Sequence, residues 1–285
     1  MKIMTKYILI TGISTGIGYA AAEMLVQRGY HVFGSVRKQA DAGRVQAALG
    51  DGVTPLLFDV TDHEGVATAV TQIRATLNGQ NLAGLVNNAG VSLTGPLMHL
   101  PVDELRRQFE VNLFGLLDVT QQCLPLLGAR LDAPGAHGRI VNISSVSGKI
   151  AYPFMGAYAA SKHALEALSD SLRRELLLYG IDVILIEPGT TATPIIGKAS
   201  DGMEQYAQTD YDAILQKVVG DAVTKRQRTA IPVEKVAAKI VEALESQHPK
   251  TRYAIPRKWF TGWFLPRILP DRWFDRMAAQ EMGLH

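Results

Sequence analysis

A series of short, almost unbroken apolar runs restricts this chain most: YILIT at 7–11, HVFGSV at 31–36, TPLLF at 54–58, AGLVN at 83–87, RIVNIS at 139–144 and DVILIE at 182–187. A strand that is apolar on both sides of its pleat must be covered on both faces, as strands are in parallel sheets flanked by helices. Helical patterns separate the runs. Residues 17–28 carry Ala20, Ala21, Met24 and Leu25 on one stripe, and residues 156–179 carry Ala160, Ala164, Leu168, Leu172 and Leu176. Strand and helix in alternation predict an α/β chain: a doubly wound, mostly parallel sheet with right-handed crossovers and helices on both faces. From Thr190 to about Thr229 the chain is polar, glycine-punctuated and weakly periodic, which predicts an excursion above the sheet within 190–230. A helix over 232–247, a short strand near Tyr253 and an aromatic, proline-rich extension over 252–285 complete the pattern.

No repeat or low-complexity linker divides the 285 residues, so 1–285 reads as one domain. Basic residues exceed acidic ones by two, which gives no field for nucleic acid and favours small-molecule chemistry. Cys123 is the single cysteine, and the seven histidines are scattered without ligand spacing, so neither a disulfide nor a metal site is expected. The N-terminus lacks an apolar h-region and cleavage site, and no stretch reaches the roughly 18 apolar residues that span a bilayer. A cytoplasmic location follows as the expectation.

Directly after the first run stands TGISTGIG, with Gly12, Gly16 and Gly18, and then a helical pattern. A strand-to-helix turn of this kind lets backbone approach a pyrophosphate, and the helix N-terminus offers free N–H groups and partial positive charge. The turn lacks the Lys-Ser/Thr ending of a phosphate loop, which disfavours nucleotide hydrolysis. A Rossmann-type dinucleotide site is expected. Tyr158 and Lys162, four apart in a helical pattern, share one helix face. A phenol of ordinary pKa near 10 needs such a neighbouring cation for acid–base work near neutrality.

These segments together resemble the short-chain dehydrogenase/reductase family. The matching positions run in order from Thr11–Gly18 through Asp59-Val60, Asn87–Gly90, Asn112, Ser145 and Tyr158-x-x-x-Lys162 to Pro188-Gly189. The resemblance implies Asn112, Ser145, Tyr158 and Lys162 as catalytic residues. Ser145, rather than Ser144, lies 13 positions before the tyrosine, as the family's serine does. It implies cofactor contacts from Gly12, Ser14, Thr15, Gly16, Ile17, Gly18, Asp59, Val60, Asn88, Ala89, Gly90, Tyr158, Lys162, Pro188, Gly189, Thr191 and Thr193. Asp59 would meet the adenine, and Asn112 would shape a helix and carry a water-linked proton relay to the lysine. Val36 stands where NAD-type members often carry Asp, and Arg37 and Lys38 follow, which favours NADP(H) over NAD(H). Thr15 lacks the basic character that some NADP-binding members place in the turn.

The implied reaction places a substrate carbonyl between Ser145 and Tyr158, with hydride from the nicotinamide and the proton from Tyr158. Asp103, Glu104 and Glu110 read as a solvated helix face, and His163 as pointing away. The extension, with RY followed by LPDRWFDR, resembles the retinol and 17β-hydroxysteroid dehydrogenase-like branch and implies a hydrophobic lipid-, steroid- or retinoid-like carbonyl or alcohol. Its basic, aromatic character suits a lid, a subunit contact or a peripheral membrane foot. A homodimer or homotetramer is expected. A cofactor-binding module without turnover, and an epimerase or dehydratase, are the rival readings.

Overall fold

In a computed structural model of the chain, the described residues are 5–133, 135–193, 203–221 and 230–284. Seven strands form one sheet: β1 Lys6–Ile10, β2 Tyr30–Val36, β3 Val53–Leu57, β4 Gly84–Asn87, β5 Arg139–Ile143, β6 Val183–Pro188 and β7 Arg252–Ile255. Their order is β3-β2-β1-β4-β5-β6-β7, every pairing is parallel, and the topological switch falls between β1 and β4. Successive residues of a strand face opposite sides of the sheet. Ile8 and Ile10 of β1 therefore join one buried cluster while Leu9 joins the other.

Helices α1 Gly16–Gln27 and α2 Gln39–Leu49 pack on the first cluster. Helix α3 His63–Leu77 packs on the second, where α4 Val102–Phe109 is followed by a π-helical turn, Glu110–Phe114, and α5 Gly115–Cys123. Helix α6, Gly156–Glu175, departs from the expected stripe in its first part, where Lys162, Leu165, Glu166 and Ser169 are buried while Ala160 is exposed and Ala164 and Leu168 are half-buried; farther on, Leu172 packs against the second cluster and Leu176 joins it as expected. The apolar pattern misplaced this part of the face because its buried positions are largely polar and bonded to other elements: Lys162 to the Ile143 carbonyl, Ser169 to Asn142, and Glu166 to Lys149 and Arg252.

Residues 194–202 and 222–229 of the 190–230 excursion lie outside the described residues, Pro194 among them. Within it stand a 3₁₀ turn, Met203–Tyr206, and α7, Asp212–Asp221, so the segment is more helical than its polarity suggests. Helix α8, Val233–Glu245, covers the first cluster beside α1. The extension is helical too: a π-helical turn Phe260–Phe264, α9 Leu265–Ile268 and α10 Asp271–Met282. Pro266 sits in the first turn of α9 and Pro270 caps α10, positions where proline's missing N–H costs nothing. No helix among the described residues is long and apolar enough to cross a membrane.

Candidate active site

The glycine turn lies at the carboxyl end of β1, at the switch point where open α/β sheets bind ligands. Gly12 and Gly16 have φ of +74° and +65°, a region costly for side chains. Gly18 is required for another reason: any Cβ there would fall on the Gly12 carbonyl and the Asn88 amide. The turn is tied to both neighbouring strands. Gly12 N donates to Ser35 Oγ at 2.8 Å, and Asn88 Nδ2 donates to the Thr11 and Gly12 carbonyls at 2.9 and 3.0 Å. Thr11 Oγ1 accepts from the backbone N–H groups of Asn88 and Ala89, both at 2.9 Å.

Exposed Thr15 starts α1 without bonding its side chain to the helix, and the first turn, which includes Ile17, carries no acid. Its N–H groups and dipole are left facing outward, which fits an anionic pyrophosphate. Val36 is buried at the end of β2, and Arg37 and Lys38 stand exposed beyond it. Arg37 Nη1 lies 3.7 Å from Asp59 Oδ2, and Asp59 Oδ1 accepts from the Thr61 N–H at 3.1 Å, ahead of buried Val60. Arg44 on α2 was not anticipated. Its guanidinium donates to the Ser14 carbonyl at 2.6 Å and to Asp41 at 2.9 Å, bracing the turn from a helix 30 residues on. A contact to a backbone carbonyl leaves no trace in side-chain spacing.

Ser145 follows β5, and Tyr158 and Lys162 lie on the adjoining half of α6. Ser145 Oγ accepts from Ser147 N–H at 3.0 Å and donates to the Pro188 carbonyl at 3.4 Å, linking the ends of β5 and β6. Lys162 is buried, with Nζ donating to the Ile143 carbonyl at 2.7 Å and 5.8 Å from the Tyr158 ring centre. Burial pushes the Tyr158 phenol above its ordinary pKa, opposed by its hydrogen bond with Ser145. This differs from the expectation that the lysine lowers it: the loss of hydration outweighs the stabilising contacts, and Lys162 itself is pushed down to about 8 by burial, opposed by the Glu166 charge.

Asn112 lies on the π-helical turn, an irregularity frequent at functional sites. Its Oδ1 accepts from Val91 N–H at 2.9 Å, and Nδ2 donates to the Val91 carbonyl at 3.0 Å and Ser161 Oγ at 3.1 Å. Ser161 in turn donates to the Tyr158 carbonyl at 2.8 Å. The side chain thus clamps the loop after Gly90 to α6. On the far side, Gly189 N donates to Ile255 O at 2.9 Å, Thr191 Oγ1 to the Gly189 carbonyl at 2.9 Å, and Thr193 Oγ1 to the Thr191 carbonyl at 3.5 Å. Asp103 and Glu104 pair with Arg106 and Arg107 on the surface, and exposed His163 bonds back to Ala159 O at 2.8 Å.

Behind Lys162 sits a cluster the sequence reading missed. Glu166, one turn on, accepts from Lys149 Nζ at 2.9 Å and Arg252 Nε at 3.0 Å, and Arg252 also reaches Asp170 at 2.8 Å. Glu187 of β6 is 1% exposed, 3.4 Å from Arg252 Nε. Burial and the neighbouring Glu166 carboxylate push Glu187 up to about 7, against the pull of Lys149 and Arg252. The signal was present in the last strand run, DVILIE, whose acid follows four apolar residues.

Above this floor, Phe154, Tyr206 and Leu215 form a third apolar cluster, joined by Tyr211 and Leu284. Phe154 has φ of +66°, an uncommon conformation for a bulky residue. The extension meets this side through Phe274, whose ring lies 5.6 Å from that of Tyr152, and through Leu284. Trp263 is buried, but Trp259, Phe260 and Phe264 stack on one another at the surface.

A family model described as short chain dehydrogenase matches residues 6–204. A protein of Ornithobacterium rhinotracheale named NADPH-dependent 3-dehydrocapnine reductase is 41% identical over 277 residues, 97% of each chain. A Bos taurus protein named dehydrogenase/reductase SDR family member 9 is 34% identical over 289 residues, covering 95% of this chain and 87% of its own. Among solved structures, a short-chain dehydrogenase from Streptomyces avermitilis matches with a TM-score of 0.74 at 30% identity, over 98% of this chain and 96% of its own.

Proposed function

This chain belongs to the short-chain dehydrogenase/reductase family, and from that premise we propose that it is an NADP(H)-dependent oxidoreductase interconverting a carbonyl and an alcohol on a hydrophobic lipid-, steroid- or retinoid-like substrate. The observation that carries this reading is the meeting of Ser145, Tyr158 and Lys162 at the carboxyl ends of β5 and β6, beside a glycine turn whose backbone leaves no room for a Cβ at Gly18. Residues 1–285 act as one unit in this reading, with 190–230 as substrate loop and 252–285 as its border.

When bound, the nicotinamide cofactor supplies or accepts the hydride. The glycine turn and the first turn of α1 hold its pyrophosphate, with Ser14, Thr15, Ile17 and the Asn88–Gly90 segment around it. Arg37 and Lys38 receive a 2′-phosphate, and the absence of an acid at Val36 removes what would repel it. A relative named NADPH-dependent supports the same choice. Pro188, Gly189, Thr191 and Thr193 border the nicotinamide end. Ser145 hydrogen-bonds the substrate oxygen and stabilises the charge growing on it. Tyr158 delivers its proton to that oxygen in reduction and recovers it in oxidation. Lys162 holds positive charge beside the phenol, and Asn112 fixes the loop and helix that frame it. The cluster of Phe154, Tyr206 and Leu215 gives an apolar wall for the substrate.

Purified chain mixed with NADPH and a panel of ketones and aldehydes tests this directly. Loss of NADPH absorbance with bulky apolar carbonyls, slower with NADH, is the expected result. Tight NADPH binding with no turnover across the panel would leave the non-catalytic module as the correct reading.

A further inference from the structure

The helical turns from Trp259 to Ile268 carry apolar residues on the side turned away from the body. Phe260, Phe264 and Ile268 recur every four residues and so form one stripe. Trp259 stacks on Phe264 with ring centres 5.4 Å apart and planes at 9°, and Phe260 stacks on Phe264 at 5.9 Å. Trp263 and Pro266, on the opposite side, make the contact with the fold. Trp259, Phe260, Ile268 and, on α10, Trp273 are 60%, 57%, 59% and 65% exposed. The stacked rings of Trp259, Phe260 and Phe264, exposed at the surface, mark something that covers them.

Charge selects the cover. Arg257, Lys258, Arg267, Arg272 and Arg276 are all exposed in the same segment, against Asp271 and Asp275. A two-fold contact between copies would bring this excess of positive charge from both to one seam. An anionic surface complements it. Trp at an interface between apolar and polar media, ringed by Arg and Lys, is the arrangement of segments that lie in the headgroup region of a bilayer.

We propose that residues 257–276 dock the protein on the surface of an anionic lipid bilayer, the aromatic stripe entering the boundary between headgroups and acyl chains and the basic side chains meeting the lipid phosphates. Phe274, in the same segment, packs on Tyr152 in the stretch leading into α6, so docking sets the substrate side of the crevice next to the bilayer. The surface stands independently of the proposed reaction, and its test uses no turnover.

Flotation of the full-length protein with phosphatidylcholine vesicles, with and without phosphatidylglycerol, reads the binding. The expected result is binding to the anionic vesicles alone, weakened by salt, with a blue shift of tryptophan emission. The W259S/W273S variant should bind at least roughly tenfold more weakly, and R272Q/R276Q roughly fivefold or more for each charge removed. Circular dichroism and NADPH binding confirm that each variant is folded. No vesicle binding by the folded wild type, or undiminished binding by both variants, would overturn the proposal. A fall in sedimentation mass of W259S/W273S without vesicle binding by the wild type would overturn it in favour of a second copy as the cover.

Discussion

Arg37 and Arg44 both lie near the glycine turn, but their contacts assign them different work. Arg37 is exposed at the end of β2 and shares only a 3.7 Å contact with Asp59, so its charge is available to a phosphate. Arg37→Ala should weaken NADPH binding roughly ten- to a hundredfold and NADH binding little. Arg44 is committed to the Ser14 carbonyl and Asp41. Arg44→Ala should therefore loosen the turn for both cofactors alike. Fluorescence titration of each variant with the two cofactors separates these cases; equal losses in Arg37→Ala would remove it from the 2′-phosphate. Glu187 poses a different test. Its folded pKa is raised from 4.5 to about 7 by burial and Glu166. The native state thus holds a proton that the unfolded chain gives up, and the resulting stability, full below about 4.5, is lost as pH rises through 7. Arg252, raised further by Glu166 and Asp170, and Asp170, lowered by Arg173 and Arg252, stay charged through this window. Melting temperature should fall from pH 5 to pH 8 more steeply in the wild type than in Glu187→Gln. Parallel profiles would show that no such proton is held.

At the scale of elements, the strands were legible because each is a continuous apolar run, and all six named runs overlap β1–β6 to within a residue or two. The burial of α6 was not, since Lys162, Glu166 and Ser169 face inward through hydrogen bonds and ion pairs that hydropathy scores as exposure. The candidate site followed the same division. Gly12, Gly18, Tyr158 and Lys162 were singled out by local spacing and Ser145 by the family resemblance, whereas Arg44, Glu187 and Arg252 act through contacts with residues distant in sequence. Gly18→Ala tests the packing of α1 on the turn: its methyl would displace the Gly12 carbonyl or Asn88. Cofactor affinity should drop by at least tenfold while the sheet, read by circular dichroism, is retained. Unchanged affinity would show that the turn has room to spare.

Across the whole molecule, two apolar layers cover the two faces of the sheet, and the candidate site lies at the carboxyl ends of its strands. The third cluster and Phe274 pack on the Tyr152–Phe154 stretch that leads into α6 and Tyr158. Phe274→Ala should raise KM for a bulky apolar ketone several-fold, with a smaller change for a small one and none in NADPH affinity. Equal changes for both substrates would detach the extension from the substrate end. The proposed reaction rests on the half-buried phenol at the centre exchanging a proton with substrate. Tyr158→Phe removes that proton and almost no volume, so the variant should fold, bind NADPH as the wild type does, and lose at least about two orders of magnitude in single-turnover carbonyl reduction. Reduction by the folded variant at a rate near that of the wild type would contradict the account.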